Sequence, residues 1–137
     1  MAKWLVKSEP SSWSFTQQIE AGPKGTHWNG VRNHVAKQHL MAMQMGEEAF
    51  FYHSNHGKEI VGIVAVSRTY YPDPTDASGK FGMVDFTVVR ALARPVSLEE
   101  IKRTSALGDM VLVRNSRMSV QPVTEAEWAT VLGMASA

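Results

Sequence analysis

The apolar positions of this chain fall into short runs whose spacing changes from one segment to the next. Trp4-Leu5-Val6 is continuous and flanked by lysines, which reads as a short buried strand. Ser14-Phe15-Thr16-Gln17 has capping-box spacing and predicts a short helix through Ala21, ended by Gly22-Pro23-Lys24-Gly25. Asn33 is placed to cap a helix over residues 34–43. Val35, Ala36, Leu40 and Met43 fall on its buried face, Lys37, Gln38 and Gln44 lie outside, and Gly46 closes it. Aromatic Glu48 to His53 and β-branched Ile60 to Val66 read as two strands joined by the hairpin loop Ser54-Asn55-His56-Gly57. Pro72 to Gly79 is a loop of turn residues, and Met83 to Leu92 alternates Val84, Phe86 and Val88 against Asp85, Thr87 and Arg90. A second capping box, Ser97 to Glu100, opens a helix to about Thr104, and Arg117 to Val120 is a short strand. Thr124 to Glu127 caps a last helix with Trp128, Val131 and Leu132 on one side. Long strands with short helices between them predict an α+β fold, a small curved sheet or barrel with helices packed at its openings.

Length and composition narrow this picture further. The 137 residues suffice for one domain, 1–137, with its own core. The absence of cysteine removes disulfides, thiolate zinc sites and cysteine nucleophiles. The opening Met1 to Lys7 is apolar for only three residues, so it reads as neither signal peptide nor membrane span, and no later apolar run reaches spanning length. The expected location is cytoplasmic, or nuclear for a eukaryotic source, with no membrane partner. A net charge of +1 does not announce a nucleic-acid binder, although residues 1–58 carry +2 and residues 101–123 carry +3.

Four segments hold polar residues that a fold does not obviously need: Lys7-Ser8-Glu9-Pro10, Trp28-Asn29-Gly30-Val31-Arg32-Asn33, Tyr52-His53-Ser54-Asn55, and Arg114 to Pro122. Each lies at a strand end or a helix start, where side chains can share one mouth. The Trp28 block sets an aromatic face, amides and a cation within six residues, the chemistry that holds a flat hydrogen-bonding ring. The same residues also serve as core anchor, turn and helix cap, and the block alone leaves both readings open. Catalytic alternatives find less support. The five histidines show no metal-ligand spacing, and His53 and Ser54, as strand neighbours, point to opposite faces. No glycine pattern fits a phosphate or dinucleotide loop. The expectation is therefore no catalytic residue, no metal and no cofactor, with Lys7, Glu9 or His53 the residues an enzyme reading would use. Trp4, Trp13 and Trp128 sit in apolar patterns and read as core.

Taken together, these motifs resemble the EVE domain, the thymocyte nuclear protein family of the PUA-like superfamily. The resemblance rests on Trp4 to Pro10, Trp28 to Asn33, Phe51-Tyr52-His53-Ser54, and Ser116 to Val123. Tyr71-Pro72-Asp73 and Glu127-Trp128 add to it, so that it spans about residues 3 to 132. It implies a PUA-like curved sheet or pseudo-β-barrel with short helices around it. It also implies non-enzymatic binding of a modified nucleobase, with modified cytosine in DNA leading and modified RNA second. Carried over by position, the ligand-binding residues would be Trp28, Val31, Arg32, Asn33, Tyr52, Ser54 and Asn55. Lys7, Glu9, Pro10, Arg117, Ser119 and Gln121 would form the rim or brace it. The chain departs from the family pattern at His34, where Tyr is common, at Lys37, where Arg is common, and at Phe81, near a usual Trp. The rival readings are a PUA-like-fold enzyme, such as a ribonuclease or amidohydrolase, and a small-molecule or partner-binding module. Oligomeric state is not legible in the sequence.

Overall fold

A computed structural model describes residues 1–136. Six strands form one mixed sheet in the order β2-β5-β4-β3-β1-β6. They are β1 (Lys3–Ser8), β2 (Thr26–His27), β3 (Glu48–His53), β4 (Glu59–Pro72), β5 (Gly82–Ser97) and β6 (Val120–Val123). Only β1 and β3 run parallel; every other pair is antiparallel. The sheet is open rather than closed into a barrel, with two-residue β2 and four-residue β6 as its edges. Pro122 lies in edge strand β6, where a missing N–H costs no interior ladder bond. The expected curvature is present in another form. The β4–β5 pairing shifts register at four places, and each bulge adds twist to the long hairpin.

Both arms of that hairpin outrun their apolar patterns. β4 continues past Val66 to Pro72, and β5 continues past Leu92 to Ser97. Pro95 does not stop β5, because it sits in the bulge where Ala91 pairs with Gly62 but Val96 pairs with Ile60. The strand expected over residues 117–120 starts only at Val120. The Asn115 side chain accepts the Arg117 N–H and the Asn115 carbonyl accepts the Met118 N–H, folding that stretch into a turn.

All three capping boxes form. They open α1 (Phe15–Glu20), α3 (Leu98–Lys102) and α5 (Glu125–Ala135), while Asn33 caps α2 (His34–Ala42). A 3-10 turn (Ser105–Leu107) and α4 (Val111–Arg114) complete the described elements. On α2, Ala36 and Leu40 face the core, but Val35 is half exposed, because it lies a helical step to one side of Ala36.

The period-two alternation of the strands divides the core between the two faces of the sheet. Trp4, Val6, Phe51, Val64, Val84 and Phe86 point to the face covered by Phe15 of α1 and by Ala36 and Leu40 of α2. Leu5, Phe50, Tyr52, Ile60 and Ile63 point to the other, covered by Ile101, Leu112, Trp128 and Val131. There Phe50 stacks on Trp128 at 3.8 Å. On the first face the tip of the Phe15 ring rests on Gly62, where a Cβ would come within 2.1 Å of Cζ.

Candidate functional site

A cleft of about 420 Å³ opens where β1 ends and β2 begins. Lys7, Ser8, Glu9, Ser12, Trp13, Thr26, His27, Trp28 and Asn29 line it. Each wall is positioned from the core outward. The Trp28 N–H donates to the Val84 carbonyl at 2.8 Å, extending the short β2 ladder by one residue. Its indole packs edge-on against Phe51 and Phe86, at 5.5 Å each, so most of the ring serves the core. Trp13 forms the second aromatic wall and is more open to solvent. Its Nε1–H donates to Gln18 Oε1 at 2.8 Å, and buried Gln18 donates to the Phe86 carbonyl at 3.0 Å. Both indoles are thus tied to the same stretch of β5.

The turn between β1 and α1 supplies the polar rim. Ser12 and Trp13 N–H groups donate to the Glu9 carbonyl, and the Ser8 hydroxyl donates to the Trp13 carbonyl. The Glu9 carboxylate makes no hydrogen bond or ion pair within the described residues. Behind this turn, His53 Nε2 accepts the Phe15 N–H at 3.1 Å, which requires a neutral ring. Burial pushes His53 below the usual imidazole range, against an opposing pull from Glu59.

The Trp28 block leaves the cleft through a clamped loop. Asp73, whose side chain is fully inaccessible, accepts the Gly30 N–H at 2.9 Å and the Arg32 guanidinium at 3.1 Å through Oδ2. Its Oδ1 accepts the Thr75 N–H and hydroxyl. Burial raises the carboxyl pKa, but the Thr75, Gly30 and Arg32 hydrogen bonds together outweigh it and hold the group at about 2. Arg32 also reaches Thr75 Oγ1 and the Val31 carbonyl, so it braces the loop. Asn33 Oδ1 caps α2 by accepting from Val35 and Ala36, which leaves its NH2 without a partner among the described residues.

The remaining expected residues separate into those the fold brings near and those it does not. The Lys7 ammonium donates to the Ser116 carbonyl at 2.7 Å, and its N–H donates to the Ser119 carbonyl, tying the Arg114–Pro122 segment to the mouth. Burial lowers the Lys7 pKa. Tyr52 is buried on the opposite face of the sheet, because it sits one residue after Phe51, and so does not line the cleft. Val31 is buried among the core residues beneath α2. Ser54 and Asn55 lie in the β3–β4 turn, Asn55 at φ 65°, and neither reaches the cleft walls. Gln121 is fully buried, donating to the Met118 carbonyl, with Oε1 unpartnered. Pro10 and exposed Arg117 do not line the cleft.

Sequence reasoning missed Trp13, Ser12, Thr26, His27 and Asp73. Trp13 sits beside a capping box within an apolar pattern, which hides a half-exposed wall. Thr26 and His27 form a strand too short to show a period. Asp73 stands 41 residues from its partner Arg32, and only the fold joins them. Among the described residues no three His, Asp or Glu side chains gather into a metal-binding group. Among the described residues, no helix is long and apolar enough to cross a membrane.

The EVE domain family model matches residues 2–134. The chain belongs to the EVE domain family. Thymocyte nuclear protein 1 of Homo sapiens is 36% identical over 163 aligned positions, covering 96% of this chain and 72% of that protein. An NMR structure of a Rhodopseudomonas palustris protein superposes with a TM-score of 0.94 at 55% identity, covering 99% of this chain and 94% of that one. The crystal structure of the human THYN1 protein in complex with 5-methylcytosine-containing DNA superposes with a TM-score of 0.92 at 35% identity. That match covers 100% of this EVE domain and 99% of the human chain.

Proposed function

We propose that this EVE domain is a non-enzymatic reader of modified cytosine in DNA, holding one unpaired base in the Trp13–Trp28 cleft. The observation that carries the reading is the similarity, across all of this chain, to the human THYN1 chain solved on 5-methylcytosine-containing DNA. The cleft chemistry supports it. A base leaving a helix loses its stacking, and an aromatic wall restores roughly 1–3 kcal/mol per base. Trp13 offers the more open ring and Trp28 the edge behind it. The free Glu9 carboxylate suits the exocyclic amine of cytosine, since carboxylates accept from that donor and repel the carbonyl that thymine presents there. Asn29, Ser12 and His27 offer donors for the remaining ring edge. Arg32 braces the loop that leaves the cleft, and Lys7 ties the Ser116 carbonyl to the cleft wall.

A buried methyl group contributes about 0.8 kcal/mol, roughly a four-fold preference. Calorimetric titration with matched oligonucleotides carrying plain, 5-methyl and 5-hydroxymethyl cytosine, as DNA and as RNA, tests the reading. We expect the methylated DNA strand to bind tightest and Trp13→Ala to weaken it. Glu9→Gln should narrow the preference for cytosine over thymine. Equal affinity for all strands, untouched by Trp13→Ala and Trp28→Ala, would overturn the proposal. Turnover of an RNA or amide substrate, lost in Glu9→Gln, would favour an enzyme instead.

A further inference from the structure

The loop that leaves the cleft at Asn29 runs directly into a second cluster of aromatic and basic side chains. His34 and Phe81 lie with ring centroids 5.0 Å apart at 35°, the His34 residue being exposed. The Arg32 guanidinium and the Lys37 ammonium each stand 5.8 Å from the Phe81 ring centroid. Lys80 adjoins Phe81 in sequence and is exposed. Arg32 is already engaged with Asp73 and Thr75, and Asp76 is held by the Phe81 and Ser78 N–H groups. Lys37 and Lys80, in contrast, have no carboxylate partner among the described residues.

We propose that the His34–Phe81 pair, with Lys37 and Lys80, holds the DNA strand next to the base in the cleft. This inference rests on the base-reading proposal above but concerns a different surface. The exposed His34 residue and the tilted Phe81 ring beside it offer aromatic surface on which a neighbouring base can lie, as unpaired bases lie on histidine and other aromatic faces. Lys37 and Lys80 then meet the phosphates on either side of that base. The two surfaces are close along the chain: Trp28 and Arg32 are four residues apart, so their Cα atoms lie at most about 14 Å from each other. The clamp of Asp73 on Gly30 and Arg32 fixes the two surfaces relative to one another.

The test compares a single-stranded DNA oligonucleotide bearing one central 5-methylcytosine with free 5-methyl-2′-deoxycytidine. The proteins are the native chain, a Lys37→Gln/Lys80→Gln double variant and His34→Ala. Loss of two phosphate contacts should lower the slope of log affinity against log salt by about 1.4 for the oligonucleotide. Nucleoside binding should be unchanged. His34→Ala should weaken oligonucleotide binding by roughly five-fold or more, again without effect on the nucleoside. An unchanged salt slope with unchanged oligonucleotide affinity would overturn the proposal, as would an equal loss for oligonucleotide and nucleoside. Failure of the base-reading proposal appears differently: cytosine and methylcytosine strands bind alike while the lysine-dependent slope persists. A native chain that binds no oligonucleotide at all overturns both.

Discussion

Replacing Asp73 by Asn removes the charge that holds the loop between the cleft and α2. The buried carboxylate takes four hydrogen bonds, from Gly30, Arg32 and two groups of Thr75, and titrates at about 2 rather than at the usual 3.8. A depressed carboxyl pKa contributes stability that is fully present above the unfolded value. That contribution is lost as pH falls from about 4 through about 2. The difference corresponds to roughly 2.4 kcal/mol at neutral pH. Urea unfolding of the native chain and Asp73→Asn, at pH 7 and again near pH 2.5, measures it. The variant should be less stable at pH 7 by about 2 kcal/mol or more, since the new amide also faces donors with a donor of its own. The gap between the two proteins should narrow at the lower pH. Other carboxylates with lowered values, such as Asp76 and Glu100, are common to both proteins and cancel in the difference. A gap that stays constant with pH, or a variant as stable as the native chain at pH 7, would refute the claim that this charge holds the loop.

Three further outcomes follow from the same geometry. Gly62→Ala should cost about 1–3 kcal/mol in denaturant unfolding, because the new methyl overlaps the Phe15 ring at 2.1 Å, and Phe15→Leu in the same chain should recover part of it. His53 sits below its ordinary pKa, so the unfolded chain binds a proton first. Stability should therefore fall as pH drops through about 6.5, and His53→Gln should flatten that part of the pH profile in thermal melts. Trp13→Ala should reduce affinity for a methylcytosine oligonucleotide by roughly 1–3 kcal/mol in calorimetry. It should leave the Trp28 contacts with Phe51 and Phe86 in place, visible as a retained near-ultraviolet dichroism signal.

Local codes were legible in the sequence, and long-range pairings were not. Ser14, Ser97, Thr124 and Asn33 marked their helices because a cap and its N–H partners lie within three residues. The strand cores at Trp4 to Val6, Phe50-Phe51 and Ile60 to Val66 showed because burial repeats along them. The ends of β4 and β5 escaped because register shifts break the alternation that would mark them. Tyr52 shows the same limit at the scale of one residue. An aromatic run in a strand does not say which ring faces which side, and Phe51 rather than Tyr52 backs the Trp28 ring. Trp13 and Asp73 carry no local signal of what they do: Gln18, five residues from Trp13, is itself held by Phe86 68 residues away, and Asp73 meets Gly30 and Arg32 only in the fold.

The division between core and rim suggests how such a cleft separates stability from selectivity. Trp28 is largely buried and Trp13 is tethered through Gln18, so the aromatic walls share the packing energy of the sheet and hold their places without a ligand. Little ordering cost then remains for a ring that enters between them. Glu9, Ser12, Asn29 and His27 stand on turns and on a two-residue edge strand. None of the four belongs to the two buried clusters, and in the proposed complex they would stand at the edge of the ring, where a mismatched donor or acceptor leaves a buried group unpaired. On the base-reading proposal, the walls stay fixed by the core while selectivity is set by the turns after β1 and β2.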